Sequence, residues 1–192
     1  MSEAVIVSTA RSPIGRAFKG SLKDVRPDDL AAAVVTAVLA KIPGLDPRLV
    51  EDLYLGCAEP SGEQGANMAR VVAILAGFDH LPGSTVNRFC ASSVQTTRMA
   101  FHAIKAGEGE IFISGGVECV SRYKNFAGPG GAMADNQNPK FAESQARNAP
   151  LAADNDPWAD PPDPGALPDL HLSRVRTPQN VEACRRIPRT RP

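Results

Sequence analysis

The sequence predicts an α/β fold in which a mixed, mostly parallel sheet is covered by helices. The first observation is that apolar runs typical of strands alternate with helical patterns over residues 4–116. The second is that glycine and proline separate these segments, as at Pro43-Gly44 and at Gly107. The third is a hydrophobic content of 43%, which is enough to build a core. Repeated strand–helix units favour parallel strands joined by helices.

Four apolar runs are predicted to be strands, and the segments between them to be helices. The predicted strands are residues 4–8, residues 52–57, a short stretch that begins at Ser84, and residues 110–116. The first predicted helix begins at Pro27-Asp28-Asp29, because an acidic first turn suits the helix dipole, and ends at Pro43-Gly44. The second helix spans residues 64–76 and stops at Gly77, and the third runs from Ser92-Ser93 to Gly107.

Residues three or four positions apart share one face of a helix, which predicts an apolar face for each of the three helices. These faces are Leu30, Val34, Val38 and Ile42 in the first helix, widened by Val35 and Leu39; Met68, Val71, Val72 and Leu75 in the second; and Val94, Thr97, Phe101 and Ile104 in the third.

Cys90 is the candidate functional residue, because it is predicted to lie at the tip of a tight turn between a strand and a helix. Ser92 and Ser93 occupy capping positions, so the helix is expected to begin directly after the cysteine. The free backbone N–H groups and the positive end of the helix dipole favour an anion there. A thiol in that place loses its proton more easily, and the thiolate is the nucleophile. The alternative is a buried structural cysteine.

The segment around Cys90 resembles a known motif. Residues 87–93, Asn-Arg-Phe-Cys-Ala-Ser-Ser, resemble the nucleophile motif of the thiolases, the acetyl-CoA acyltransferases. Three further segments resemble the same family in the same order: residues 11–22 with Arg-Ser-Pro-Ile-Gly and Phe-Lys-Gly-Ser-Leu, residues 63–70 with Glu-Gln-Gly-Ala-Asn-Met-Ala-Arg, and residues 114–121 with Ser-Gly-Gly-Val-Glu-Cys-Val-Ser. The resemblance is close up to about residue 147 and patchy beyond it.

The resemblance implies the N-terminal half of a thiolase. Residues 1–122 then form a thiolase-like α/β half-domain, and residues 123–192 form the irregular, poorly ordered start of a loop domain. The thiolase half-domain needs a fifth strand after this insertion, and the chain ends before any candidate for it.

The activity implied by the resemblance is acyl transfer between Cys90 and coenzyme A, in the cleavage or formation of 3-ketoacyl-CoA. Acyl-CoA and coenzyme A are the implied substrates, with no further cofactor, and the family implies a homo-oligomer, either a dimer or a tetramer. The sequence assigns no residue to coenzyme A binding and none to a metal.

The family's proton chemistry is expected to be missing from this chain. Thiolases use a Gly-His-Pro histidine, a late Cys-x-Gly cysteine and an Asn-Glu-Ala-Phe asparagine, and the 192 residues contain none of these motifs. His102 follows Cys90 by twelve helical residues, or about 18 Å, and is read as a partly buried helix residue. His80 is predicted to lie in a loop, His171 lacks the flanking glycine and proline, and Cys184 is followed by arginine.

The expectation is therefore a truncated chain that is inactive alone, in which Cys57 and Cys119 are inert core cysteines. Two alternatives remain open, namely a condensing enzyme of the ketoacyl-synthase type and a non-catalytic fragment or oligomer partner.

Composition excludes several other classes of protein. The formal net charge is zero, so no nucleic-acid or membrane partner is expected. No apolar run approaches the roughly eighteen residues of a membrane span, and the first residues do not resemble a signal peptide. The lack of a signal-peptide pattern leads us to expect a cytoplasmic location. The four cysteines form no C-x-x-C pair and show no zinc spacing, and a disulfide framework is not expected in a reducing compartment.

Overall fold

The computed structural model describes residues 3–125 of the chain. In this part, three helices and three strands alternate after a long N-terminal segment. The helices are α1 (Pro27–Ala40), α2 (Met68–Leu75) and α3 (Ser92–Ala106), and the strands are β1 (Asp52–Gly56), β2 (Gly83–Val86) and β3 (Phe112–Gly116). This order confirms the predicted α/β fold. Most of the segment 123–192, expected to be a poorly ordered loop domain, lies outside the described residues.

The three strands form a parallel sheet with β1 in the centre, in the order β2-β1-β3. Leu53 of β1 lies opposite Gly83 of β2 and Ile113 of β3, while Gly56 lies opposite Val86 and Gly116. The carboxyl ends of all three strands therefore meet at one edge of the sheet. Ligand sites of open α/β sheets lie at such an edge.

Helices α2 and α3 cover opposite faces of the sheet. Gly83 shares a face with Leu53, and a Cβ added to it would lie 2.8 Å from the carbonyl carbon of Ala69 in α2. Gly56 is three residues from Leu53 and therefore faces the other way, because side chains alternate along a strand. A Cβ added to Gly56 would lie 2.7 Å from the carbonyl carbon of Ser92 in α3.

The main core lies on the α2 face of the sheet, where α1 packs against α2. Its buried members are Ala31, Ala32, Val35, Val50, Leu53, Leu55, Cys57, Met68, Ala69, Val72, Ala73 and Leu81. No helix of residues 3–125 is long and apolar enough to cross a membrane.

The strand predicted for residues 4–8 is wrong. These residues belong to no strand, and Val5, Ile6 and Val7 are 69%, 79% and 79% exposed. A strand requires ladder hydrogen bonds with a neighbouring strand, and within residues 3–125 this segment has none. It is tied to α1 instead, since the Ser8 hydroxyl donates to the Val38 carbonyl at 3.1 Å.

The apolar face predicted for α1 does not coincide with the face that packs against α2. Ala31, Ala32 and Val35 are buried, whereas Leu30 and Val34 are only half-buried. Alanine at the contact lets the backbones of α1 and α2 approach closely, so small residues point inward and larger ones lie at the margin. In α2, Met68 and Val72 are fully buried as predicted, but the other two residues of the predicted face, Val71 and Leu75, are exposed.

The α3 face predicted from the large apolar residues points away from the sheet. Val94 is 72% exposed and Phe101 is 45% exposed. The residues that contact the sheet are instead small or polar ones, namely Ser92, Thr96, Ala100 and Ala103. Because α3 lies so close to the strands, only short side chains fit beneath it.

Glycines follow the ends of α2 and α3 as predicted, and α1 and α3 begin at the predicted residues Pro27 and Ser92, whereas α1 ends at Ala40, before the predicted Pro43-Gly44. Gly107 adopts a left-handed φ of 78° directly after α3, and Gly77 a φ of 85° after α2, which is the usual way to end a helix. The helix predicted from residue 64 begins only at Met68, because residues 62–64 form a separate 3₁₀ turn.

Arginine and acidic side chains tie the segment after β3 to the loop after β1 and to the start of α1. Arg122 pairs with Glu63, and Glu63 also pairs with Arg26 at 3.0 Å. The hydrogen bond from Arg122, followed by the charges of the two arginines, lowers the pKa of Glu63, while burial opposes this. The pairs hold the segment that follows β3 against the start of α1.

Replacing Gly56 with alanine is predicted to separate α3 from the sheet. The new methyl group would lie within 3 Å of the Ser92 and Ser93 backbone, which cannot move without shifting the helix. We expect the free energy of unfolding to fall by about 1–3 kcal/mol in urea titrations. Gly115→Ala is the matched control, because its methyl group would meet only Leu55 Cδ1 at 3.9 Å. Equal losses for the two variants would contradict the close approach.

Asp52→Asn is predicted to stabilise the protein at neutral pH. Burial raises the pKa of Asp52, and its Oδ1 atom is buried without a hydrogen-bond partner among the described residues. Because the folded state resists ionisation, the charged form costs stability above the raised pKa. We expect Asp52→Asn to raise the melting temperature at pH 7 by roughly 1–3 °C.

This gain should shrink as the pH falls through the raised pKa, and vanish below the ordinary aspartate value of about 3.9. Asp79→Asn serves as the control, since the Asp79 side chain is 97% exposed. A gain that is independent of pH would show that the charge of Asp52 is not its cause.

Candidate active site

Cys90 lies in a 3₁₀ turn, Phe89–Ala91, between the end of β2 and the start of α3. The structure thus places the cysteine between strand and helix, as the sequence predicts. Its side chain is exposed, so the alternative of a buried structural cysteine is wrong. The thiol lies at the carboxyl edge of the sheet, where a substrate can reach it.

The two serines after Cys90 do not cap the helix. The N-cap residue of α3 is Ala91, and no side chain caps the helix at that position. Ser92 is nearly fully buried, and its hydroxyl accepts a hydrogen bond from the Arg88 amide at 2.9 Å. The same hydroxyl donates to the Phe89 carbonyl at 2.6 Å. Ser92 therefore closes the turn that precedes the helix.

Phe89, the residue before the cysteine, has a left-handed backbone with a φ of 48°. Residues with a side chain avoid this region, and holding one there costs about 1–3 kcal/mol. The Phe89 amide donates to Asn87 Oδ1 at 2.8 Å, while its carbonyl accepts from Ser92. Both peptide groups of the strained residue are thus fixed by side chains.

A polar network connects the ends of β1 and β3 next to this turn. Glu118 Oε2 accepts a hydrogen bond from the Ala58 amide at 2.7 Å, and Oε1 accepts one from Gln64 Nε2 at 2.8 Å. Gln64 is fully buried, and its Oε1 accepts from the Cys119 amide at 2.6 Å. Asn87 Nδ2 donates to the Ala58 carbonyl at 3.0 Å, so the turn of Cys90 joins the network.

The other described cysteines differ from Cys90 in their surroundings. Cys57 is 1% exposed, and its thiol lies 3.8 Å from Glu118 Oε1. Burial first, and the negative charge of Glu118 second, raise the pKa of Cys57 to about 12. Cys119 is half-buried, with its sulfur 4.0 Å from the Val25 carbonyl. Cys57 therefore occupies the core as expected, whereas Cys119, also expected there, is only half-buried. Cys184 lies outside the described residues.

No histidine among residues 3–125 forms a hydrogen bond with Cys90. His102 is exposed on α3, where its ring meets that of Phe101 at 5.3 Å, so its predicted partial burial is wrong. His80 lies in the loop after α2, as predicted, with Nε2 3.3 Å from the Pro47 carbonyl. His171 lies outside the described residues. Residues 3–125 also contain no cluster of metal-ligating side chains.

The sequence predicts no hydrogen-bonding role for Asn87 or Gln64, and the capping role that it predicts for Ser92 is wrong. A signal for Asn87 was present, because asparagine often accepts a hydrogen bond from the backbone amide two residues later. No local pattern marks Gln64, because two of the three partners of its side chain lie 54 and 55 residues further along the chain; the third is the Glu59 carbonyl. Glu118 is exposed, and its two carboxylate oxygens accept hydrogen bonds from Ala58 and Gln64 in the loop after β1.

Cys90 is predicted to react with iodoacetamide well before Cys57 in the native protein. Cys90 is exposed, whereas burial and a pKa of about 12 keep Cys57 a protonated, inaccessible thiol at pH 7–8. Peptide mapping after short labelling times measures both rates, and labelling in urea is the control that Cys57 can react once unfolded. Faster native labelling of Cys57 or Cys119 would overturn the assignment.

The segment of the chain that contains this turn matches a known protein family. The family model described as "Thiolase, N-terminal domain" matches residues 4–146. The 3-ketoacyl-CoA thiolase of Aeromonas salmonicida (strain A449) is 46% identical over 119 residues, covering 62% of this chain and 31% of the relative. The beta-ketoadipyl-CoA thiolase of Pseudomonas knackmussii is 48% identical over 121 residues, covering 62% and 30%.

The 3-ketoacyl-CoA thiolase of Bacillus subtilis (strain 168) is 47% identical over 123 residues, which cover 64% of this chain and 31% of the relative. The chain thus spans about a third of the length of these curated relatives. The family model covers most of the chain and includes the strand, turn and helix around Cys90, and the chain belongs to the thiolase family.

Proposed function

We propose that this protein is an acyltransferase of the thiolase type, with Cys90 as the nucleophile that receives an acyl group from a coenzyme A thioester. The observation that carries the proposal is the exposed thiol of Cys90, held on a strained turn at the carboxyl edge of the sheet. It lies within the segment that matches the thiolase N-terminal domain. Strained backbone residues that are held in place by surrounding hydrogen bonds are found preferentially at functional sites.

The proposed step is a thioester exchange. The Cys90 thiol gives its proton to a base in solution, and the thiolate attacks the carbonyl carbon of the substrate. The bond from that carbon to the coenzyme A sulfur breaks, coenzyme A leaves as a thiolate that takes up a proton, and the acyl group remains on Cys90. No oxidant, reductant or metal is required for this balance.

The substrate class is proposed to be 3-ketoacyl-CoA and acyl-CoA thioesters. Support comes from the names of the relatives, which are thiolases for 3-ketoacyl-CoA and beta-ketoadipyl-CoA. When a 3-ketoacyl-CoA is cleaved, one part stays on Cys90 as an acyl group. The carbon of the departing part must then take up a proton. Neither histidine of the described residues forms a hydrogen bond with Cys90: His80 contacts the Pro47 carbonyl, and His102 contacts the Phe101 ring.

The 192-residue chain is therefore proposed to carry out acylation without completing turnover by itself. The motifs to which the thiolase resemblance assigns proton chemistry, Gly-His-Pro, Cys-x-Gly and Asn-Glu-Ala-Phe, are absent from its sequence. Loss of one member of a catalytic unit costs nearly as much as loss of the unit. Cys90 alone supplies a slow first step.

Association into a homo-oligomer, a dimer or a tetramer, is part of the proposal. Large apolar side chains on the described surface support it, because exposed apolar patches mark contact surfaces. The most exposed are Val5, Ile6, Val7, Ile14 and Val94, each at least 69% exposed. A cytoplasmic location is also proposed, because the three cysteines of the described residues are free thiols, as is usual in a reducing compartment.

Incubation with acetyl-CoA is predicted to add one acetyl group to Cys90. Intact mass spectrometry detects the added group, and peptide mapping assigns its position. Cys90→Ala should abolish the modification, while Cys119→Ala, the matched control at a half-buried cysteine, should keep it. Acetylation that persists in Cys90→Ala would refute the nucleophile assignment.

The same chain is predicted to show no appreciable cleavage of acetoacetyl-CoA in the presence of coenzyme A, followed at the enolate absorbance. Robust cleavage that disappears in Cys90→Ala would mean that other residues supply the proton chemistry. His80 and Cys119 would then be tested first by substitution.

A further inference from the structure

We infer that Asn87 is a positioning residue for Cys90, whose side-chain amide holds the turn in the shape that presents the thiol to the thioester. The inference rests on the proposed acyl transfer for its functional meaning. Its structural basis is the pair of hydrogen bonds that the Asn87 amide makes, one within the turn and one to the neighbouring strand β1.

The first hydrogen bond stabilises an unfavourable backbone. Asn87 Oδ1 accepts from the Phe89 amide at 2.8 Å, and Phe89 has a φ of 48°. Without this acceptor, Phe89 has less to hold it in the left-handed region and can relax toward ordinary values. Because Cys90 is the next residue, any rotation at Phe89 moves its sulfur.

The second hydrogen bond anchors the turn to the sheet. Asn87 Nδ2 donates to the carbonyl of Ala58 at 3.0 Å, two residues beyond the end of the central strand β1. Ala58 is itself held, because its amide donates to Glu118 Oε2 at 2.7 Å. The position of the turn is therefore set by two strand ends, and Asn87 is the side chain that makes the connection.

Both atoms of the amide are needed for this role. A carboxylate at residue 87 keeps an acceptor for the Phe89 amide, but it has no N–H for the Ala58 carbonyl. Ser92 holds the opposite side of the turn through the Phe89 carbonyl, so it cannot replace either bond of Asn87.

Asn67 provides a matched control in the same sheet. Its Nδ2 donates to the Gly83 carbonyl at 2.7 Å, and its Oδ1 accepts from the Thr85 hydroxyl at 3.0 Å. Like Asn87, it is exposed and uses both amide atoms. Its partners lie on β2 rather than on the turn. Asn67→Ala therefore measures the effect of losing a bridging asparagine that does not contact the Cys90 turn.

The experiment compares Asn87→Ala, Asn87→Asp and Asn67→Ala with the unchanged 192-residue chain. Amide hydrogen exchange at Phe89, measured by NMR, reports the turn directly and requires no activity. We expect exchange at Phe89 to accelerate about tenfold in Asn87→Ala and to stay near the original rate in Asn87→Asp and Asn67→Ala. Circular dichroism shows that each variant is folded.

A second measurement separates positioning from exposure. Acetylation of Cys90 by acetyl-CoA requires an oriented sulfur, whereas iodoacetamide is small and approaches from many directions. In Asn87→Ala and in Asn87→Asp we expect the acetylation rate to fall about tenfold, with alkylation changed by less than about threefold. Asn67→Ala should leave both rates unchanged. General loosening of the structure would instead change alkylation as well, and would expose Cys57 to the reagent.

The outcomes distinguish this inference from the proposed function. If the unchanged chain is not acetylated but Asn87→Ala selectively accelerates exchange at Phe89, the proposed function fails while the positioning of the turn stands. If acetylation occurs and is equally fast in Asn87→Ala, the inference is overturned and the proposed function stands. Equal exchange at Phe89 in Asn87→Ala and Asn67→Ala also overturns it. Should Asn87→Ala not fold, the acetylation rate of Asn87→Asp decides.

Discussion

The close approach of α3 to the central strand is the contact on which the site depends. Gly56 at the end of β1 has no Cβ, and the space that a Cβ would fill is taken by the backbone of Ser92 and Ser93. This contact fixes where α3 begins relative to the edge of the sheet. It also buries Ser92, whose hydroxyl then closes the turn around Phe89. The position of Cys90 thus follows from a missing side chain on another strand.

The same contact reverses the usual distribution of side chains on α3. A helix this near the strands admits only small or short residues beneath it, and Thr96 also places its hydroxyl 3.1 Å from the Gly115 carbonyl. The larger residues Val94 and Phe101 are left on the outer surface. Burial of those side chains against another surface would add hydrophobic stabilisation that the described residues do not provide, which supports the proposed association.

Features set by local chemistry could be predicted from the sequence, and features set by distant partners could not. The stops at Gly77 and Gly107 depend on glycine's tolerance of positive φ, and the strand–turn–helix around Cys90 follows from its own residues. Residues 4–8 are apolar enough for a strand, but strand formation depends on a neighbour that sequence does not specify. Likewise, the left-handed Phe89 is held by a network whose other members, Ala58 and Glu118, are about 30 residues away on either side.

Glu118 contacts both the network around the Cys90 turn and the thiol of Cys57. Its Oε2 holds the Ala58 amide, and through the Ala58 peptide and Asn87 it supports the turn of Cys90. Its Oε1 faces the thiol of Cys57, where the negative charge adds to burial in raising the pKa of that thiol to about 12. A thiolate at Cys57 would be buried and would face the negative charge of Glu118, and both effects disfavour its ionisation. The carboxylate that holds the Ala58 amide therefore also disfavours nucleophilic chemistry at Cys57, which is consistent with the proposed role of Cys90 as the nucleophile.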